Sequence, residues 1–177
     1  MGFSSGGIVV WITGPPQSGK STFAGALAQA LKAHRATCVL DGDDVRHALV
    51  PEPAYDPESR EAFYATLANL AALVARQGLV VVVAATAHER TFRARAKEIA
   101  GGRYLEVQIA ATADECRARD RKGLYAAAET GSMPNLPGRF GPLAYEPSEA
   151  ADVFASGGFD EAAVHGAVGR ILRFDER

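Results

Sequence analysis

The chain has 177 residues, 47% of them hydrophobic and 23% charged, which is enough apolar material for one core and predicts a single α/β domain over residues 1–177. Its net charge of -2 and isoelectric point near 6.1 lack the basic excess that duplexes attract, so nucleic acid is not expected to be its main partner. The longest apolar run, residues 79–87, is far too short to cross a bilayer, which argues against a membrane protein.

The first predicted element is a buried strand at residues 8–12, and the sequence GPPQSGKST follows it directly. This stretch matches the G-x-x-x-x-G-K-S pattern of a P-loop, in which backbone N–H groups and the N-terminus of the next helix hold phosphate oxygens. Lys20 would bring a positive charge to the outer phosphates, and the Ser21 hydroxyl would ligate Mg²⁺. A chance glycine loop would lack the helical run FAGALAQALKA that follows. The predicted nucleotide contacts are Gly14, Pro15, Pro16, Gln17, Ser18, Gly19, Lys20, Ser21 and Thr22.

Carboxylates follow the second predicted strand, residues 37–40, in the sequence DGDDVRHAL. The carboxyl end of a strand beside a P-loop borders the crevice in which α/β sheets bind ligands. Phosphoryl transfer needs a carboxylate near Mg²⁺ and a cation for a bound anion, which Asp41 or Asp43 and Arg46 would supply. The alternative is that the same aspartates form a solvated turn that caps a helix.

Three segments together resemble the adenylylsulfate kinase family: VWITGPPQSGKST, LDGDDVRHAL and, farther along, ECRARDRKGLY. The resemblance extends to about residue 149, and its second and third segments are more discriminating than a P-loop alone. It implies a kinase that moves the γ-phosphoryl group of ATP to the 3′-hydroxyl of adenosine 5′-phosphosulfate (APS). It also implies that Lys20 is catalytic, that Asp43 is the catalytic base or a metal-linked carboxylate, and that Arg46 contacts the substrate anion. Asp41 has a weaker, supporting role at the strand edge.

A proline-rich connector, residues 51–57, precedes a long predicted helix at residues 58–77. By the same resemblance, Tyr55 matches an aromatic that stacks on the substrate base, and Arg60 matches a substrate-binding arginine. Ordinary packing of the tyrosine and solvation of the arginine are the alternatives. The helix is apolar on more than one face, which implies burial against the sheet or a partner subunit. Members of the resembled family form dimers, so a homodimer is expected.

An apolar run at residues 79–83 predicts a central parallel strand, but no aspartate follows it. A Walker B motif would place a Mg²⁺-linked aspartate there; the resembled family also lacks it, which favours that family over a generic ATPase. In the next segment, HERTFRARAKEIA, the arginines are expected on a solvated helix face and His88 on the polar surface. A strand at 103–110, a helix at 112–119 and a closing helix at 160–174 complete the predicted elements.

The segment RDRKGLY resembles the family's mobile lid, which closes over the nucleotide and excludes water. The predicted lid covers residues from about 119 to 131, with Arg119 beside the nucleotide and Lys122 at the substrate. A solvated run of charges is the alternative. The Pro- and Gly-rich residues from about 132 to 147 predict a loop over the substrate, with Asn135 and Leu136 as contacts.

The acceptor pocket departs from the family's pattern at several positions. Phe63 stands where the family has a substrate-contacting asparagine, and Ala65 and Thr66 stand where a pair of arginines is usual. In the substrate loop, Pro134 and Leu136 replace a lysine and a base-stacking phenylalanine. The donor side therefore matches the family, whereas the acceptor pocket is altered.

These features together predict a three-layer α/β P-loop kinase fold with a mostly parallel central sheet, using ATP and Mg²⁺. APS is the favoured acceptor, and another nucleotide-activated or small hydroxyl or amidate metabolite is the alternative within the same chemistry. A regulatory module that binds ATP without transferring phosphate is the alternative of a different class. Cys38 and Cys116 lack disulfide or metal spacing, which fits a reducing cytoplasm.

Overall fold

A computed structural model describes residues 6–120, 123, 127 and 144–176. Its strands are β1 (Ile8–Thr13), β2 (Thr37–Asp41), β3 (Val80–Ala84), β4 (Tyr104–Ile109) and β5 (Val153–Ala155). Its helices are α1 (Lys20–Leu31), α2 (Gly42–Ala48), α3 (Pro57–Ala75), α4 (Arg90–Ala100), α5 (Ala113–Ala118) and α6 (Glu161–Arg173).

The strands form one parallel sheet in the order β2-β3-β1-β4-β5. β1 lies in the middle, with Ile8 opposite Val80 of β3 and Val9 opposite Tyr104 of β4. Every residue of β1 and β3 is buried because helices cover both faces, and this explains their unbroken apolar sequences. Since all the strands are parallel, their carboxyl ends meet at one edge, and the P-loop and α2 begin there.

The layers follow from the alternation of side chains along β1. Ile8, Val10 and Ile12 belong to the apolar cluster that contains α1 and α6. Val9 and Trp11 belong to the cluster that contains α3 and α4. Each fully buried large apolar side chain contributes about 1.5–3 kcal/mol to folding. The predicted three-layer arrangement with a parallel sheet is therefore confirmed.

Aspartates set the starts of three helices. Asp41, Asp56 and Asp160 each accept a hydrogen bond from a backbone N–H in the first turn of α2, α3 and α6 respectively. Pro57 occupies the first turn of α3, where its missing N–H costs nothing. Two elements were not predicted: α2, for which the sequence indicated only a helix-capping turn as an alternative, and β5, which at 3 residues is too short for a periodic pattern.

No helix in the described ranges is both long and apolar enough to cross a membrane.

Candidate active site

The P-loop connects the end of β1 to the start of α1, and two of its glycines have no space for a side chain. A Cβ atom on Gly14 would lie 2.7 Å from Ser18 Oγ, and one on Gly19 would lie 2.7 Å from the backbone N of Gly158. Gly19 also has a φ of 100°, in the region that glycine adopts without strain. The Ser18 hydroxyl is buried and has no hydrogen-bond partner among the residues that the structure describes. A glycine cradle around an unsatisfied buried hydroxyl fits a bound polyphosphate.

Lys20 folds back over this loop. Its ammonium group donates to the carbonyl oxygens of Gly14, at 3.1 Å, and Pro15, at 2.8 Å. The positive charge is therefore already held above the cradle, at the place where the sequence predicted contact with the outer phosphates.

Asp41 connects the end of β2 to the start of α1. The Ser21 hydroxyl donates to Asp41 Oδ2, and the Asp43 backbone N–H donates to Asp41 Oδ1 at 3.0 Å. A hydroxyl beside a carboxylate is a pair of hard oxygen ligands of the kind that Mg²⁺ binds while keeping several waters. Asp41 thus lies closer to the predicted metal ligand than its supporting role implied, and it caps α2 as well.

Asp43 and Asp44 lie exposed in the first turn of α2. The capping turn is therefore present, with Asp41 as the cap, and the functional role of the exposed Asp43 stays a prediction. The position of Asp43 at the carboxyl edge of the sheet is compatible with the predicted role as a base.

Arg46 is buried between two aromatic rings. Only 3% of it is exposed, and its guanidinium carbon lies 4.4 Å from the ring centre of Tyr55 and 3.9 Å from that of Phe63. Its Nη1 donates to the carbonyl oxygens of Pro53, at 2.8 Å, and Ala54, at 2.9 Å. Arg46 thus anchors the proline-rich connector to α2, an arrangement in which Phe63 participates directly.

Arg60 holds the same connector from the other side. It is 4% exposed, and its Nε donates to the Tyr55 carbonyl oxygen at 2.7 Å. The alternative of a solvated arginine is therefore wrong. Tyr55 keeps 44% of its surface exposed, which leaves part of its ring available to a ligand. The predicted substrate residues Arg46, Tyr55 and Arg60 are brought together in one cluster.

The prediction that the segment after β3 is solvated is wrong for His88 and Arg93. Each is only 2% exposed. Arg93 donates to the carbonyl oxygens of Ala87, at 2.5 Å, and Glu146, at 2.6 Å. Burial lowers the pKa of His88, and the nearby charge of Arg60 lowers this pKa further. Two residues far along the chain contact this segment: the Tyr145 ring centre lies 5.7 Å from the Arg93 guanidinium carbon, and the Glu146 N–H donates to the His88 carbonyl oxygen at 2.8 Å.

Tyr145 was not identified from the sequence, yet it connects β1 and β4 at the carboxyl edge of the sheet. Its hydroxyl lies 3.0 Å from Thr13 Oγ1, at the end of β1, and donates to Gln108 Oε1 at 2.9 Å. The Thr13 hydroxyl itself donates to the Thr86 carbonyl oxygen at 2.7 Å. Burial raises the pKa of Tyr145, so its hydroxyl remains protonated. The only sequence signal was a tyrosine between proline-rich stretches.

Arg119 follows α5 and lies beside the loop after β5. A Cβ atom on Gly157 would lie 3.6 Å from Arg119 Nη1, and the neighbouring Gly158 packs against Gly19 of the P-loop. The fold therefore brings Arg119 close to the predicted nucleotide site. Lys122, Asn135 and Leu136 lie outside the described residues, as does most of the predicted lid and substrate loop. Among the residues described, no group of three or more His, Cys, Asp or Glu side chains is placed to hold a metal by itself.

Comparisons with known proteins were made by sequence and by structure. The profile of the family described as adenylylsulphate kinase matches residues 6–156. The adenylyl-sulfate kinase of Paraburkholderia xenovorans (strain LB400) is 40% identical over 167 residues, which cover 94% of this chain and 91% of that protein. The adenylyl-sulfate kinase of Escherichia coli (strain K12 / DH10B) is 39% identical over 153 residues, which cover 85% of this chain and 75% of that protein. The structure of the Mycobacterium tuberculosis APS kinase in complex with AMPPNP and APS superposes with a TM-score of 0.81 and 30% identity, covering 97% of this chain and 98% of that one.

Proposed function

The chain belongs to the adenylylsulphate kinase family, and we propose on this premise that it transfers the γ-phosphoryl group of ATP to the 3′-hydroxyl of APS. It is an ATP-dependent phosphotransferase with a P-loop kinase fold. The proposal rests on the hydrogen bond from the Ser21 hydroxyl to Asp41. This contact joins the P-loop, which would hold the phosphate donor, to the carboxylates at the start of α2.

The donor half of the reaction rests on residues of the P-loop. The backbone around Gly14 and Gly19 and the Ser18 hydroxyl would hold the phosphates of ATP. Lys20 would exchange the carbonyl oxygens that it now contacts for oxygens of the β- and γ-phosphates. A fixed positive charge at this place stabilises the negative charge that redistributes in the transition state. Arg119 would lie over the nucleotide from the side of Gly157.

Ser21 and Asp41 would hold Mg²⁺, which neutralises charge on the transferring phosphoryl group. Ser21 would offer its hydroxyl oxygen directly, and Asp41 would accept hydrogen bonds from the ion's water ligands. Because Asp41 also caps α2, the same carboxylate fixes the backbone on which Asp43 stands. Asp43 would accept the proton of the attacking hydroxyl or orient that hydroxyl.

The acceptor half rests on the cluster of Arg46, Tyr55 and Arg60. The exposed part of the Tyr55 ring would stack on the acceptor's base. The two buried guanidinium groups place positive charge behind that ring, where an anionic acceptor would be attracted. The lid and substrate loop would complete the pocket.

A different acceptor of the same reaction is favoured by one observation. Phe63 places an apolar ring 3.9 Å from the guanidinium carbon of Arg46, at a position where the resembled family has a polar side chain. A lost hydrogen bond to a charged group is worth roughly 1.5–3 kcal/mol, or about ten- to a hundred-fold in affinity. An acceptor with fewer polar groups at that place would suit the cluster better than APS.

Transfer of the labelled γ-phosphoryl group from ATP to a panel of acceptors tests the proposal. The panel contains APS, other nucleotide-activated compounds and small hydroxyl compounds, each compared by kcat/KM at saturating MgATP. Selective formation of 3′-phosphoadenosine 5′-phosphosulfate supports APS as the acceptor. Preference for another compound supports the second acceptor, and ATP binding without acceptor-dependent ADP release would show a regulatory module.

We also propose a homodimer, to which the second face of α3 contributes. Leu73 of α3 remains 49% exposed although Phe63, Leu67 and Ala71 of the same helix are buried. Light scattering of the parent chain and of Leu73→Lys checks this: a dimer in the parent and a monomer in the variant are expected, whereas a monomeric parent would contradict it.

A cytoplasmic location is part of the proposal. Cys38 and Cys116 are both free thiols, which agrees with a reducing compartment. Cell fractionation with antibody detection tests it, and recovery of the protein from an extracytoplasmic fraction would contradict it.

A further inference from the structure

His88 has a ring nitrogen that no residue in the described ranges satisfies. The residue is buried, and its Nδ1 atom has no hydrogen-bond partner within that part of the chain. Its Nε2 atom lies 3.4 Å from Glu89 Oε1, so the proton of the neutral ring belongs on Nε2, facing a carboxylate. Nδ1 then presents a lone pair. Buried polar atoms are almost always paired, and an exception at a candidate binding site calls for a partner.

A series of ring contacts connects His88 to the acceptor cluster, and the charge of Arg60, a member of that cluster, acts on His88. His88 follows β3 at the carboxyl edge of the sheet, and its ring packs edge-on against Phe92, with ring centres 5.4 Å apart. Phe92 stacks on Tyr64, whose hydroxyl accepts the Ala87 N–H at 3.1 Å. Tyr64 lies on α3 next to Phe63, which contacts Arg46. One continuous set of packed rings thus leads from His88 to the acceptor cluster.

The charges around His88 keep its ring neutral. Burial is the first cause of its lowered pKa, and the charge of Arg60 is the second. Arg93 acts in the same direction, whereas Glu89 and Glu146 oppose it. The net effect of these groups and of burial is a lowered pKa, so the ring is neutral and Nδ1 is a hydrogen-bond acceptor near neutral pH.

We propose that His88 is a specificity-determining residue that accepts a hydrogen bond at Nδ1 from an O–H or N–H group of the acceptor substrate. This inference rests on the proposed function, because it assigns a contact within the acceptor site. A site with a buried acceptor atom rejects a ligand that lacks the matching donor, since the atom then stays unpaired. Apart from the reacting 3′-hydroxyl, the donors of APS are the 2′-hydroxyl of the ribose and the 6-amino group of the base.

Two substitutions separate recognition from packing. His88→Phe keeps a ring against Phe92 but removes both nitrogens, whereas His88→Asn can place a polar atom near the position of Nδ1. His165→Phe is the matched control, because His165 lies exposed on α6. We expect His88→Phe to lower kcat/KM for APS about 10–100-fold with the KM of ATP unchanged. His88→Asn should recover part of the loss, and the control should match the parent.

Acceptor analogues give a second, independent measurement on the parent chain. Inosine 5′-phosphosulfate lacks the 6-amino donor, and the 2′-deoxy analogue of APS lacks the ribose donor. The parent should discriminate against one of them about 10–100-fold, and His88→Phe should lose that discrimination. Parent and variant with equal kcat/KM for APS would overturn the inference, as would a parent that uses both analogues as well as APS. The analogue result decides the matter even if His88→Phe does not fold.

Failure of the proposed function has a different signature. A parent chain that forms no product from APS refutes that function, whatever the variants do. Calorimetry of APS binding to the MgADP-bound protein then tests the His88 contact. Binding to the parent and loss of binding in His88→Phe support the contact. Absence of binding to both refutes the contact together with the function.

Discussion

At the scale of single residues, the Asp41 carboxylate makes one contact that caps a helix and another at the proposed metal site. Its Oδ1 accepts the Asp43 N–H and caps α2, while its Oδ2 accepts from the Ser21 hydroxyl. The sequence showed a cluster of aspartates but not which one would turn toward the P-loop. The structure separates them, since the Asp41 carboxylate accepts from Ser21 and Asp43, two residues later, is exposed.

Lys20→Ala should abolish transfer while leaving the fold intact. The ammonium group donates to the carbonyl oxygens of Gly14 and Pro15, and in the reaction it would stabilise the charge of the transferring phosphoryl group. Loss of one such electrostatic contact costs about 10²–10³-fold in kcat. Steady-state assay of ADP release measures this, with circular dichroism as the folding check. Lys32→Ala, at the end of α1, is the control. Unchanged turnover in Lys20→Ala would disprove the P-loop assignment.

Substitutions of the aspartates by asparagine should separate metal binding from proton transfer. Asp41→Asn retains a capping side chain but loses its charge, so the Mg²⁺ concentration for half-maximal activity should rise. Asp43→Asn should lower kcat about 10²–10⁴-fold, the usual contribution of a general base, with the Mg²⁺ dependence unchanged. Asp44→Asn provides the matched control in the same turn. Activity titrated with MgCl₂ checks all three, and a loss below threefold in Asp43→Asn would return that residue to a role in the turn.

At the scale of elements, the close approach of β1 to the end of α3 fixes the position of the P-loop strand. A Cβ atom on Gly7 would lie 1.7 Å from the Ala75 carbonyl oxygen and 2.7 Å from that of Leu79. Both atoms are backbone, so no side chain can rotate away to make space. The helix that carries Arg60 and the strand that leads into the P-loop are therefore held in contact without any intervening side chain.

Gly7→Ala should destabilise the protein, whereas the same change at Gly25 should stabilise it. The new methyl group at residue 7 forces β1 and α3 apart, and overpacking of this kind typically costs about 1–3 kcal/mol. Gly25 lies on the exposed side of α1, where a Cβ atom meets nothing within 4 Å. Alanine there should add about 0.5–1 kcal/mol through helix propensity. Urea unfolding measures both, and equal effects of the two changes would contradict this account of the contact.

At the scale of the whole molecule, the sequence predicted those elements whose signal lies within one short stretch of the chain. The P-loop, the central strand at 79–83 and the long helix α3 each carry their signal within a single stretch, and the sheet followed from their order. The environment of His88 and Arg93 could not be predicted in this way, because it includes contacts with Glu146, more than fifty positions away. The position of Tyr145 could not be predicted either, because its partners Thr13 and Gln108 lie on β1 and β4, far away in the sequence.

The long-range burial of His88 should make the stability of the whole protein depend on pH. A histidine whose pKa is lowered in the folded state binds fewer protons there than in the unfolded chain. Its contribution is therefore complete above the unfolded value of about 6.5 and is lost as the pH falls through that value. Asp56, Glu115 and Asp160 also have lowered pKa values, through their hydrogen bonds to first-turn groups and nearby serine and threonine residues. Their contributions are lost only at lower pH, below the usual carboxylate range.

We therefore expect the free energy of unfolding to fall between pH 7.5 and pH 5 in the parent, and to fall less in His88→Phe, whose ring cannot take up a proton. Urea unfolding at several pH values measures both curves, with His165→Phe as the control for removal of an exposed histidine. As the pH falls, the free energy of unfolding of His88→Phe should rise relative to that of the parent. Parallel curves across this range would show that His88 is not held neutral by the fold, and the lone pair assigned to its Nδ1 atom would lose its physical basis.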